Sequence, residues 1–139
     1  MKKITYESWV HSFVERLSDY FNLAGWEIAI TQAKEDKPNS SGEGWGTYAS
    51  MDINSAYQMA EMTLYPVVKK DFEEKNFARI VARLTHEFVH IFLDPFQDAM
   101  HPHLSITSTP AFMNILEQQT QKLTMVFLKT LPKDVIPPR

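Results

Sequence analysis

The chain has 139 residues, 44% of them hydrophobic and 22% charged, with a formal charge of −3, which is enough for one core, too short for two ordinary domains and far from a disordered composition. Lysines and arginines are scattered, so no basic stripe marks a nucleic-acid partner, and the absence of cysteine excludes disulfides and thiolate metal sites, leaving His, Asp and Glu as metal ligands. Met1, Lys2, Lys3 and Ile4 are followed by Thr5, Tyr6, Glu7 and Ser8 rather than an apolar run, and no stretch approaches the roughly 18 apolar residues that span a bilayer, so the expectation is one cytoplasmic domain over residues 1–139 with no membrane segment.

Over residues 5–22, Trp9, Val10, Phe13, Leu17, Tyr20 and Phe21 recur every three or four positions, which predicts an amphipathic helix ended by Gly25, with His11 on its polar face. Trp26, Ile28 and Ile30 then alternate with polar or small residues as a half-buried strand does. Residues 34–44 read as a solvated loop. Trp45, Thr47, Ala49, Met51 and Ile53 share one face of a second strand, and a turn at Asn54 and Ser55 leads to a third over residues 59–65. Three strands joined in sequence predict a small, mainly antiparallel sheet.

After Pro66 the pattern becomes helical, with a break near Lys75 and Asn76, and runs into Thr85-His86-Glu87-Phe88-Val89-His90. Phe77, Val81, Leu84, Phe88, Ile91 and Phe92 fall within about 50° of one direction on a helical wheel, whereas His86 and His90 point almost oppositely. Two imidazoles one turn apart can reach one ion, and the carboxylate beside the first can hold a water: this is H-E-x-x-H, the zinc-binding and water-activating pattern of metallopeptidases. The helix is expected to end at Asp94, before Pro95. Residues 96–109 show no periodicity and carry His101 and His103. Thr109 and Pro110 then open a last helix, with Phe112, Leu116, Leu123, Val126 and Phe127 inward and Gln118, Lys122, Met125 and Lys129 outward. Pro132, Pro137 and Pro138 predict a frayed tail over residues 132–139.

A catalytic zinc keeps three protein ligands and one open position, so His86 and His90 need a third partner. Glu117, on the flank of the last helix with Met113, Thr120 and Thr124, is one candidate; His101 and His103 are the others. Arg83 stands four residues before Glu87 and can pair with it, while Asp94, four after His90, is either an orienting group for that ring or an ordinary helix-end carboxylate.

In the order of nearly all its elements the chain resembles the small gluzincin-type (minigluzincin) zinc metallopeptidases, often short phage or prophage proteins. The residues that carry the resemblance are Trp26-Glu27-Ile28 at the first strand, the motif helix Leu84-Thr85-His86-Glu87-Phe88-Val89-His90-Ile91-Phe92-Leu93-Asp94-Pro95, and Glu117, Thr120 and Leu123 in the last helix. It implies an α+β, zincin-like minimal metallopeptidase fold, Zn2+ held by His86, His90 and Glu117, Glu87 as the catalytic base, and a peptide or protein substrate aligned on an edge strand. Tyr48, Tyr57, His101 and His103 are candidate oxyanion donors. The chain is also similar, less closely, to SprT-like metalloproteases, in which a histidine after the motif, here His103, would be the third ligand; Pro102 and Leu104 stand where that family has glycine. The reading from a different class is a zinc-stabilised binding protein without turnover.

Overall fold

The computed structural model describes residues 3–37, 47–100 and 110–139. In chain order these form helix α1 (Tyr6–Tyr20), strands β1 (Glu27–Gln32), β2 (Ala49–Asn54) and β3 (Met59–Leu64), helices α2 (Pro66–Glu73), α3 (Phe77–Met100) and α4 (Pro110–Thr130), and a single 3-10 turn (Lys133–Val135). The fold is α+β. Trp45, His101 and His103 lie outside the described residues.

Thr5 caps α1 by accepting a hydrogen bond from the Ser8 amide on its hydroxyl, at 3.2 Å. The helix stops earlier than the expected Gly25. Asn22 takes a left-handed conformation (φ 57°), the Leu23 amide reaches back to the Ser18 carbonyl and the Asn22 amide to that of Asp19. The same paired closure ends α2, where Lys75 is left-handed (φ 62°), and the Asn76 carbonyl then accepts from the first turn of α3. This is the break expected near Lys75 and Asn76.

The sheet corrects the antiparallel expectation. Its order is β1-β3-β2, with β2 antiparallel to β3 but β1 parallel to β3. The hairpin of β2 and β3 inserts so that its second strand, not its first, lies beside β1, and β2 becomes the edge strand that runs along α3. Ala60, Met62 and Leu64 point into the core, while Glu61 faces outward opposite Asp52.

Trp9, Phe13 and Leu17 of α1, Met62 and Leu64 of β3, and Ile80, Leu84, Phe88 and Ile91 of α3 meet in one core, where each is at most 1% exposed. The predicted stripe of α3 is buried except at Phe92, which stays 42% exposed while its ring touches Phe21 and Phe127. Helix α3 also runs through Pro95 to Met100 instead of stopping at Asp94. A proline within a helix forfeits one backbone hydrogen bond, and here that loss does not end the element. The tail is packed rather than frayed. Arg16 donates to the carbonyls of Asp134 (2.8 Å) and Ile136 (3.4 Å), Val135 and Pro137 are buried, and the Arg139 guanidinium lies over the Phe77 ring. No described helix is long and apolar enough to cross a membrane.

Candidate metal centre

Helix α3 presents His86 and His90 on the side away from the Leu84 and Phe88 core, with side chains 14% and 26% exposed. Their rings sit 4.9 Å apart and nearly perpendicular, at 83°. Helix α4 closes the site from the other side. It packs against α3 through Thr120 and Thr124, both buried, each donating its hydroxyl to the carbonyl four residues back in α4. These compact residues let the two helices approach, and they make the packed face the one that sequence periodicity assigns to the flank. Val126, expected inside, is 56% exposed.

One turn before Thr120, Glu117 reaches across so that its Oε1 is 2.8 Å from His86 Nε2 and its Oε2 is 3.4 Å from His90 Nε2. The ligand atoms of the three residues all lie within 4.8 Å of one another. Ligands at about 2.0–2.1 Å around a tetrahedral zinc are separated by about 3.3 Å, so two imidazoles and one carboxylate at these spacings fit the ion with small adjustments. Glu117 is thus brought together with the two histidines predicted from the motif.

The charges in the cluster follow from this closeness. Hydrogen bonds from His86 and His90 hold the Glu117 carboxyl far below the usual carboxylate range. Burial by itself would lower the His90 pKa, but the bond to Glu117 and the nearby Glu87, Glu117 and Asp94 charges outweigh it and raise it. Glu87 is pushed up from its ordinary 4.5, chiefly by burial, with His90 and His86 opposing. Arg83 is exposed and forms no ion pair with Glu87 among the described residues, and Glu87 lines the cleft.

Gln121, which the sequence does not single out, and Thr124 of the same flank complete the surroundings. Gln121 places its Oε1 3.1 Å from His86 Nδ1, and Thr124 Oγ1 lies 3.5 Å from the same nitrogen. When Nδ1 carries the proton and gives it to Gln121, the Nε2 lone pair is left for a metal. The signal was present: Glu117, Gln121 and Thr124 are spaced four and three apart on one helical face. A cleft of about 430 Å³ opens over the cluster, lined by Ala49, Ser50, Met51 and Ile53 of β2, by His86, Glu87, His90, Asp94 and Gln97 of α3, and by Met113, Leu116 and Glu117 of α4.

Other expected roles are not met. The Tyr48 hydroxyl is committed to Asp71 Oδ2 at 2.9 Å, and Tyr57 is 76% exposed in the turn after β2; neither lines the cleft. Asp94 accepts a hydrogen bond from the Ser55 hydroxyl, and none joins it to His90 among the described residues. Compared with models of known families, with curated proteins and with solved structures, the chain gave no match.

Proposed function

We propose that the protein is a zinc-dependent peptidase that hydrolyses amide bonds in the cleft between β2, α3 and α4. The observation that carries the reading is the convergence of His86, His90 and Glu117 from two helices to within ligand distance of one another, with Glu87 beside them in the same cleft. A bound zinc would polarise the scissile carbonyl and bring the pKa of a water towards about 7. Glu87, adjacent in sequence to the first ligand, accepts the proton of the attacking water and delivers it to the departing amine. Gln121 fixes the His86 ring through Nδ1. The edge strand β2, bordering the cleft with Ala49, Ser50 and Met51, offers main-chain groups to an extended substrate, and Met51, Met113 and Leu116 give it apolar walls. The fold this reading implies is zincin-like, as in the minigluzincins the sequence resembles.

The test is to incubate the zinc-loaded protein with a broad peptide library and detect new termini by mass spectrometry. Cleavage that a chelator abolishes and added zinc restores supports the reading. A protein that binds zinc at one ion per chain and leaves the library intact is instead a zinc-stabilised binding protein.

A further inference from the structure

Taking the peptidase reading as its premise, we infer that Asp94 determines specificity, receiving a lysine or arginine side chain of the substrate about two residues from the one held at the metal. Residues 86, 90 and 94 follow one another on a single face of α3, and Gln97 extends that face. Four residues advance a helix by about 6 Å, so Asp94 stands about that far beyond His90 along the cleft. An extended peptide advances about 6.7 Å in two residues and returns a side chain to the same side, which matches that offset.

The carboxylate is held in place. Ser55, just past the end of β2, donates its hydroxyl to Asp94 Oδ2, so the group is fixed at the junction of edge strand and helix while its other oxygen remains for a ligand. The groups acting on it are Ser55, the like-charged Asp98 and His90; no lysine or arginine pairs with it among the described residues. The wider cleft has the same bias. Among the described residues its lining carries three carboxylates, Glu87, Asp94 and Glu117, and no lysine or arginine. Residues 38–46 and 101–109 contain neither cation, and Lys2 is the one lysine or arginine outside the described residues. A bound zinc would engage Glu117, and Glu87 would face the reacting water, which leaves Asp94 as the cleft carboxylate that no lysine or arginine pairs with among the described residues. A guanidinium or ammonium on an extended peptide would supply that partner, in a charge-assisted hydrogen bond.

The experiment uses pairs of otherwise identical fluorogenic peptides carrying arginine or its uncharged isostere citrulline at each of the three positions either side of the cleaved bond. Turnover is measured with the zinc-loaded wild type, and affinity with zinc-loaded Glu87→Gln protein, so that recognition is read apart from hydrolysis. Arginine should be preferred at one position by about tenfold or more in both measurements. Asp94→Asn should bring the ratio close to one while the zinc-induced thermal shift is kept. Asp94→Lys should favour glutamate there, which shows that charge rather than loss of fold is responsible. Equal handling of arginine and citrulline, or a preference that survives Asp94→Asn, overturns the inference. A preference in affinity without any turnover supports it and sinks the peptidase reading instead.

Discussion

Replacing Glu117 by alanine separates a metal ligand from a surface glutamate. In the metal-free protein Glu117 bonds His86 and His90 from a side chain that is 59% exposed, so its removal also lowers intrinsic stability, and the comparison is made on the zinc-induced shift of each variant. At free zinc 100-fold above the dissociation constant, binding to the native state alone stabilises it by about 2.7 kcal/mol. An unfolding entropy of about 2.1 cal/mol/K per residue over 139 residues makes each kcal/mol worth about 3–4 °C, so the wild-type melting temperature should rise by about 9 °C. If losing the third ligand weakens binding about 100-fold, the same zinc supplies only about 0.4 kcal/mol, a rise of about 1–2 °C. Gln121→Ala, which removes the nearer of the two partners of His86 Nδ1, should fall between the two, since loss of a group orienting a ligand typically costs 10- to 100-fold in affinity. Differential scanning fluorimetry across a buffered zinc series reads all three, with the exposed His11→Ala as the unchanged control. A full zinc shift in Glu117→Ala would refute the ligand set and return attention to His101 and His103.

The zinc shift should also depend on pH. In the metal-free protein the raised His90 contributes stability below about 6.5 that is lost as pH climbs through its folded value, and the depressed Glu117 contributes stability above about 4.5 that is lost on acidification. Zinc requires both imidazoles neutral, so its thermal shift should be small at pH 5 and full by pH 7.5; a shift unchanged between them would contradict histidine ligation. Tyr48→Phe removes one donor from Asp71, which is 2% exposed and also bonded by Asn76 and Arg79, and should cost about 1–3 kcal/mol in urea unfolding. The Tyr48 phenol is raised above its ordinary 10, by burial and then by its bond to Asp71, so the native state keeps a proton that the unfolded chain releases. Wild-type stability should therefore fall as pH rises past about 10, and fall less in the variant. Lys75→Gly relieves a side chain held at φ 62° and should stabilise the protein by about 0.5–1 kcal/mol; a loss of stability would mean that the lysine side chain matters more than its backbone.

Local periodicity made the functional face of α3 legible, because the positions that bury Leu84, Phe88 and Ile91 leave His86 and His90 on the opposite side. Glu117 was legible only as one candidate of three, since its meeting with His86 spans 31 residues and depends on how α4 packs. What sequence patterns could not carry were the choices made by distant partners. The order β1-β3-β2 is set by which strand a hairpin docks through, not by any residue within β1. The tail is held by Arg16, whose target carbonyl in Asp134 lies 118 residues along the chain. Continuation of α3 beyond Asp94 goes against the local preference of the residue before proline. Thr120 and Thr124 mislead a hydrophobic wheel because their own carbonyl bonds satisfy the hydroxyls and let polar residues form the packed face.

Replacing Glu87 by glutamine removes the base proposed to act beside a zinc held by its neighbours. With zinc loaded, this variant should keep the thermal shift of the wild type and lose about 10²- to 10⁴-fold in the rate of peptide cleavage. Cleavage at the wild-type rate by a zinc-loaded Glu87→Gln protein would contradict that role for Glu87.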